Sequence, residues 1–184
     1  MKKKKLNLTK ENISFGTDGW RGILGVDFTL ERLLKVAAAA AQELAYVKEK
    51  RNNKIIIGYD RRFLAEEMAE AVASAVRGVN LVPLLASCSL PTPSCSWGIV
   101  EENALGALVI TASHNPCEWL GLKIKGPFGG SVDSFFTDSV QKRLDAGGIS
   151  IPLEGTTERI DFRKKHLLGI SKKFDIPFIS NGLR

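Results

Sequence analysis

The residues best suited to chemistry follow a run of apolar residues, Gly106–Ile110, at the point where its hydrophobic pattern stops. Hydroxyl, imidazole and amide side chains cluster there in the segment Thr-Ala-Ser-His-Asn-Pro, residues 111–116. A second run of alternating apolar residues follows and carries two lysines, Lys123 and Lys125. Ser113 therefore lies between two predicted strands, with basic side chains close by in sequence.

Three roles are open for Ser113: the nucleophile of a hydrolase, a phosphate carrier, or a turn residue. A serine hydrolase needs a base, an orienting acid and a Gly-x-Ser-x-Gly elbow, whereas Ser113 lies between Ala112 and His114. A turn would only require Ser113 and Asn115 to bond the local backbone ahead of Pro116. A phosphate carrier needs an exposed hydroxyl, cations, and a proton donor and acceptor, because phosphoryl transfer depends on positioning and charge stabilisation.

Basic side chains from distant segments can supply what a phosphate carrier needs, provided that their loops converge. One of them, Arg21, lies with Asp18 in the stretch Phe15–Gly25, which has four glycines in eleven residues. This glycine spacing is typical of a tight hairpin or loop. The complete set of candidates is Arg21, Arg62, His114 and Lys123. The pair Arg61 and Arg62 would also fit a solvated helix start.

The elements that must position these residues alternate between strand and helix. Helical periodicity covers residues 29–48, 63–77 and 133–144, and a short helix fits residues 94–102. Apolar runs predict strands at residues 54–60, 79–85, 104–110 and 120–125. The alternation predicts an α/β fold, a three-layer α/β/α domain with a mixed, mainly parallel four-stranded sheet. A glycine-rich N-terminal hairpin is expected in addition.

The connection between the third and fourth predicted strands decides their relative direction. Only nine residues, Thr111–Trp119, separate the two strands. A crossover to a parallel neighbour usually needs more, so we predict that the fourth strand is antiparallel. Ligands in such sheets bind beyond the carboxyl ends of the parallel strands. We therefore expect the loops at Asp60, Pro91–Pro93 and Ser113 to share one edge of the sheet.

Composition narrows the class of protein and its partners. The formal net charge is +6, but the basic excess is concentrated towards the two ends of the 184 residues. Because no aromatic residues are interleaved with these lysines, we predict solvated tails and no nucleic-acid partner. Three cysteines without Cys-x-x-Cys spacing are typical of a reducing compartment. Without a signal peptide or a long apolar stretch, we predict a cytoplasmic protein with no membrane partner.

Three segments resemble the N-terminal domain of the α-D-phosphohexomutases, the phosphoglucomutase/phosphomannomutase family. They are Phe15–Gly22, Gly58–Phe63, and Thr111–Pro116 together with Gly121–Gly130. They follow the family's order, and the hexapeptide Thr-Ala-Ser-His-Asn-Pro is highly specific. The resemblance supports the phosphate carrier among the three roles of Ser113.

The resemblance implies a mutase reaction between the C1 and C6 hydroxyls of a sugar. Phosphoserine at Ser113 would donate its phosphate to a bound hexose monophosphate. The bisphosphorylated sugar would then reorient and return its other phosphate to the serine. The family also uses Mg²⁺, which a phosphoserine oxygen helps to hold, so Ser113 is an implied metal ligand through its phosphate.

The resemblance also implies roles for other side chains. Arg21 and Lys123 resemble the family's proton-transfer pair, and His114 resembles a contact near the phosphate or sugar oxygens. Further substrate contacts are implied at Asp18, Arg62 and Asn115. Leu120 departs from the pattern, because the family usually has Asn before the glycine that corresponds to Gly121.

The family has four domains, and the resemblance here is to the first. The aspartate-rich metal loop lies in a later domain, and no Asp-Gly-Asp run occurs in this sequence. We predict a basic arm at residues 1–12, the phosphoserine domain at 13–146, and a weakly patterned segment at 147–184 that leads towards an absent second domain. Such a fragment is expected to be inactive alone.

The expected partners are a hexose phosphate and the missing domains, and exposed former interfaces would favour self-association. Three phenylalanines in the last segment, Phe162, Phe174 and Phe178, are the expected exposed apolar residues. The alternative is a natural single-domain module that binds a sugar phosphate or another anion without catalysis. Which hexose is used does not follow from these residues.

Overall fold

The computed structural model describes residues 13–16, 18–46, 52–147, 155–174 and 179. Within these residues, five helices pack against one seven-stranded sheet. The strands are β1 (Phe15–Gly16), β2 (Gly19–Ile23), β3 (Lys54–Tyr59), β4 (Val82–Ala86), β5 (Gly106–Ile110), β6 (Trp119–Lys125) and β7 (Glu158–Ile160). The helices are α1 (Leu30–Ala45), α2 (Ala65–Gly78), α3 (Thr92–Glu101), α4 (Ser134–Ala146) and α5 (Phe162–Ser171).

The sheet is mixed, with the strand order β1-β2-β6-β5-β3-β4-β7. Strands β5, β3, β4 and β7 are mutually parallel. Strand β6 runs antiparallel to β5, and β2 runs antiparallel to β6. The predicted antiparallel direction of the strand after Ser113 is therefore confirmed. The short connection forces this direction, since no helix fits between β5 and β6.

Two glycines on neighbouring strands show that helices cover both faces of the sheet. A Cβ on Gly106 of β5 would contact the side chain of Leu44 in α1. A Cβ on Gly58 of β3 would instead contact the Sγ atom of Cys95 in α3. Helices α2 and α4 pack on α1, and α5 packs on α3. The predicted three-layer α/β/α architecture is confirmed.

Small side chains allow the helices of one layer to pack closely. The run Ala37–Ala41 in α1 is fully buried at the contacts of α1 with its neighbours. Helix α1 begins where expected, because the Thr29 hydroxyl accepts a hydrogen bond from the backbone N–H of Arg32 at 3.4 Å. This N-cap satisfies one of the free donors of the first turn.

The number of strands differs from the prediction of four. The N-terminal hairpin forms as predicted, but β1 and β2 also extend the main sheet, because β2 pairs with β6. The third additional strand, β7, has only three residues and pairs with β4. Elements this short carry too few residues for a hydrophobic period to be recognised.

The segment at residues 155–174 contains more regular secondary structure than its weak hydrophobic pattern predicts. It contains β7 and α5, and Phe162 is fully buried. The ring of Phe162 in α5 packs against Gly98 of α3. A Cβ on Gly98 would lie 2.7 Å from this ring, so the contact depends on glycine. The expectation that Phe162 is exposed was wrong. Phe174 is 56% exposed, and Phe178 and the arm at residues 1–12 lie outside the described residues.

The described helices include no segment with the length and apolar character needed to cross a bilayer. The three cysteines are free thiols, of which Cys95 is buried and Cys117 exposed.

Candidate active site

The loops at Asp60 and Ser113 lie together at the carboxyl ends of the parallel strands, as predicted, and the Leu90 N–H ahead of the Pro91–Pro93 loop donates to the Tyr59 carbonyl at 3.0 Å. Strands β3 and β5 are neighbours, and Tyr59 pairs with Ile110 at their last positions. The backbone N–H of Asp60 donates to the carbonyl of Ile110 at 3.1 Å. The turn after β3 and the loop after β5 therefore begin side by side, which brings Arg62 next to the Ser113 loop.

Ser113 lies at a tight bend in this loop and is exposed to solvent. Its φ of 57° is in the left-handed region, which costs a non-glycine residue about 1 kcal/mol or more. Local hydrogen bonds hold this conformation, because the Ser113 N–H donates to the Thr111 hydroxyl at 2.9 Å. The Asn115 N–H donates to the Ala112 carbonyl at 3.1 Å. A strained residue of this kind points to a functional position.

The side chain of Ser113 is accessible from solvent. Its Oγ atom lies 3.4 Å from Nδ1 of His114, which is also exposed. This long contact leaves the hydroxyl free to change partners. The geometry is compatible with a phosphate carrier, which must present its oxygen to a ligand.

Arg21 reaches the same loop from the N-terminal hairpin. Its Nη1 atom donates to Oδ1 of Asn115 at 2.9 Å, across 94 residues of sequence. The close approach of β2 to β6 depends on glycine, since a Cβ on Gly19, which has a φ of 120°, would lie 2.8 Å from Cα of Lys123. The predicted residues Arg21 and Asn115 are thus brought together with Ser113.

Lys123 lies on the face of the sheet that carries Arg21. Arg21 pairs with Gly121 across the β2–β6 ladder, and side chains two residues apart on a strand share a face. The Lys123 side chain is largely buried, with 13% of its surface exposed, and its Nζ atom forms an ion pair of 2.5 Å with Oδ2 of Asp18. Arg21 and Lys123 therefore lie on the same face of the sheet.

Asp18 is the centre of a polar cluster that the sequence did not reveal. Its Oδ1 atom lies 2.8 Å from Nζ of Lys125 and accepts a hydrogen bond from the Ser131 hydroxyl at 2.6 Å. Burial raises the pKa of this carboxyl, but the hydrogen bonds from Lys123, Lys125 and Ser131 outweigh it and lower the pKa to about 2. Asp18 is therefore ionised at neutral pH and holds two lysines in place.

Lys125 and Ser131 were not among the predicted site residues. A signal for Lys125 was present, because it follows Lys123 by two residues on a strand and must share its face. No comparable signal marks Ser131, which comes from the turn after β6. Asp18 was predicted to contact substrate; its carboxylate instead pairs with protein cations, and a substrate contact stays a prediction.

Replacing Asp18 by asparagine should lower the free energy of unfolding by about 1–3 kcal/mol, because two neighbouring ammonium groups lose their shared counter-charge. The folded-state pKa of Asp18 is depressed, from 3.8 to about 2. Its stabilisation is therefore present above about pH 4 and is lost as pH falls towards 2. Urea titrations of both proteins between these pH values measure the difference.

The matched control is Asp138→Asn, which makes the same chemical change at an exposed position of α4. It should leave the unfolding free energy within about 0.5 kcal/mol of the unaltered protein. If the Asp18→Asn deficit stays constant down to pH 2, or is absent at neutral pH, the role assigned to the carboxylate is wrong.

Arg62 follows β3 and contacts the backbone of the Ser113 loop. Its guanidinium group donates to backbone carbonyls between Ser113 and Trp119, and its Nε atom is 3.5 Å from Oδ2 of Asp60. The structure thus brings Arg62 to the Ser113 loop, as predicted, but through contacts to backbone. Its predicted contact with substrate stays a prediction.

A Mg²⁺ site would need oxygen ligands that the described residues do not supply as a group. Magnesium prefers oxygen ligands and is usually held by one or two carboxylates. The part of the chain that the structure describes contains no group of three or more histidine, cysteine, aspartate or glutamate side chains suited to a metal ion. The Asp18 carboxylate is bound to two lysines, and the Asp60 carboxylate lies 3.5 Å from Nε of Arg62. These residues alone do not fit a magnesium centre.

The fold and the loop define a class of protein: an α/β/α domain that presents a serine in a cationic setting at the carboxyl edge of its parallel strands. Residues 12–148 match the family model described as phosphoglucomutase/phosphomannomutase, alpha/beta/alpha domain I. The chain belongs to this family.

Relatives and solved structures agree with this assignment. The chain is 31% identical over 146 residues to a phosphoglucosamine mutase of Mycolicibacterium smegmatis, covering 75% of this chain and 32% of the relative. It is 33% identical over 143 residues to the phosphoglucosamine mutase of Deinococcus radiodurans, covering 77% and 31%. A crystal structure from Thermus thermophilus, assigned as a phosphomannomutase, superposes with a TM-score of 0.79 at 29% identity, covering 90% of this chain and 37% of that one.

The chain thus spans about a third of the length of the curated relatives that it matches.

Proposed function

We propose that this chain is the phosphoserine domain of a hexose-phosphate mutase, in which Ser113 carries the transferred phosphoryl group. The observation that supports this most strongly is the exposed Ser113 in a left-handed conformation at the carboxyl edge of β5. Loops at this edge are where ligands of such sheets bind. The contact of Arg21 with Asn115 adds a cation to the same loop.

In the proposed reaction, a sugar hydroxyl oxygen attacks the phosphorus of phosphoserine. The new P–O bond forms as the bond from phosphorus to Oγ of Ser113 breaks, and the hydroxyl proton is transferred to a base. After the bisphosphorylated sugar has reoriented, the second phosphate returns to Oγ. The chemistry depends on positioning and on stabilising the charge of the phosphoryl oxygens.

Lys123 and Arg21 are the proposed proton-transfer pair. Their shared face and the low exposure of Lys123 support this role. His114, whose Nδ1 atom lies 3.4 Å from Oγ, is proposed to contact the phosphate or the leaving oxygen. Since the described residues do not fit a magnesium centre, the Mg²⁺ of the family would need carboxylates from elsewhere, and we assign it no step.

The relatives named as phosphoglucosamine mutases make glucosamine phosphate the first substrate to test. The remaining domains of such a mutase are the proposed partners of this domain. Several large apolar side chains are exposed and could contact them, including Phe63 at 74%, Phe128 at 69% and Phe135 at 80%. Self-association through these surfaces and a cytoplasmic location stay predictions.

An assay by ³¹P NMR tests the proposal. Glucosamine 1-phosphate and glucosamine 6-phosphate should interconvert when this domain is present together with the remaining mutase domains and a trace of the bisphosphate. The purified 184-residue chain alone should show no turnover. Robust turnover by the chain alone would contradict the view that other domains complete the site. Binding of sugar phosphate without transfer, even in the complete protein, would favour the alternative of an anion-binding module.

A further inference from the structure

We propose that Arg62 is a positioning residue that holds the Ser113 loop from beneath, and that it does not bind the sugar phosphate. The consequence for phosphoryl transfer rests on the function proposed above. The structural part of the proposal concerns only the loop and stands independently of it.

The guanidinium group of Arg62 makes four hydrogen bonds to backbone carbonyls of one loop. Nη1 donates to the carbonyls of Pro116 at 2.8 Å and Trp119 at 3.1 Å. Nη2 donates to the carbonyls of Ser113 at 2.9 Å and Asn115 at 2.6 Å. One side chain thus connects both ends of the loop, from the serine itself to the start of β6.

These contacts engage both terminal nitrogens of the guanidinium with the loop. The group has five N–H donors in a fixed planar fork. The terminal nitrogens donate four hydrogen bonds to the loop carbonyls, and the Nε atom lies 3.5 Å from Oδ2 of Asp60 in an ion pair. The side chain is only 16% exposed. A phosphate could bind Arg62 only by displacing carbonyls, which would leave backbone acceptors of the Ser113 loop unpaired.

The position of Arg62 is itself fixed by the end of the neighbouring strand. The backbone N–H of Arg62 donates to Oδ1 of Asp60 at 3.0 Å, so a short turn forms directly after β3. The Asp60 N–H in turn donates to the Ile110 carbonyl at the end of β5. The arginine therefore anchors the loop to the carboxyl end of β3 in the sheet.

The loop needs such an anchor because its backbone bends sharply. The left-handed Ser113 is followed by a turn, and the carbonyls of the loop converge on one point, where the cation compensates their partial negative charges. Phosphoryl transfer requires the reacting oxygen in a narrow range of positions, and a displacement of about 1 Å can lower the rate by about 10²-fold. Holding the loop is therefore a contribution to rate.

The variant Arg62→Lys tests the proposal, because an ammonium group keeps the charge but lacks the planar fork of the guanidinium. The matched control is Arg61→Lys, since Arg61 is the exposed neighbour whose Nε atom lies 3.3 Å from Oγ of Ser89. Hydrogen–deuterium exchange of residues 112–119 is measured in both variants and in the unaltered chain. We expect exchange at Asn115 and Trp119 to be faster by about tenfold or more in Arg62→Lys and unchanged in Arg61→Lys.

A second readout separates positioning from ligand binding. Phosphorylation of Ser113 by a hexose bisphosphate should be slower by about 10²-fold in Arg62→Lys, with the half-saturating sugar concentration changed less than about threefold. Guanidinium ion should restore part of the rate in Arg62→Ala. If Arg62→Ala does not fold, NMR of the unaltered chain decides: the ¹⁵Nε signal of Arg62 should not move when glucosamine 6-phosphate is added.

Unchanged loop exchange in Arg62→Lys, a raised half-saturating concentration at an unchanged maximal rate, or a ligand-induced shift of the Arg62 signal would each overturn the proposal. If Ser113 takes up no phosphate in a mutase that contains this domain, the proposed function fails, but the exchange comparison still decides the role of Arg62. If exchange is unchanged while Ser113 is phosphorylated normally, the positioning role fails and the proposed function stands.

Discussion

Replacing Lys123 by alanine in a mutase that contains this domain is expected to lower kcat by about 10²–10⁴-fold, with KM changed by less than about tenfold. General acid–base groups contribute this much when they act in the transition state. Lys123 lies on the face of Arg21, is 13% exposed and is oriented by Asp18. Steady-state kinetics with glucosamine 1-phosphate measure the effect.

Lys125→Met is the matched control, because Lys125 lies two residues along the same strand and contacts the same carboxylate. It removes a neighbouring cation without removing the proposed proton donor, so kcat should fall by no more than about tenfold. Ethylamine in the buffer should restore part of the activity of Lys123→Ala and none in the control. An unchanged kcat in Lys123→Ala would remove Lys123 from the proton-transfer step and leave the role of Ser113 untouched.

The architecture around Ser113 was predictable because long elements carry a clear hydrophobic period. Strands β3 and β5 and helix α1 follow that pattern, and the eight residues between β5 and β6 are too few for a parallel crossover. The carboxyl edge follows from these elements alone. The convergence of Arg62 with the Ser113 loop is therefore a consequence of topology.

The partner of each charged side chain was not predictable in the same way. Asp18 and Lys125 are 107 residues apart, and only the β2–β6 register brings them together. Nothing in the sequence distinguishes an arginine that binds phosphate from one that binds backbone carbonyls, as Arg62 shows. Helix α5 was missed for a different reason, since it is largely exposed and buries one large anchor, Phe162.

Ser113→Ala is expected to have the largest effect of all, a loss of mutase activity of about 10⁴-fold or more, because the oxygen that carries the phosphate is absent. Binding of sugar phosphate should remain. The fold should remain as well, since Ser113 is exposed and its hydroxyl makes a long, weak contact of 3.4 Å with Nδ1 of the exposed His114. A retained unfolding transition would show that the loss is chemical and not structural.

The most direct measurement of the central claim is the site of phosphate attachment. A mutase that contains this domain is incubated with glucosamine 1,6-bisphosphate, digested, and mapped by mass spectrometry, with Ser113→Ala and the buried Ser94→Ala treated alongside. We predict one phosphoryl group on Ser113 in the unaltered chain and in Ser94→Ala, and none in Ser113→Ala. An unmodified Ser113 at saturating bisphosphate, or equal phosphate in Ser113→Ala, would contradict the assignment of Ser113 as the phosphate carrier.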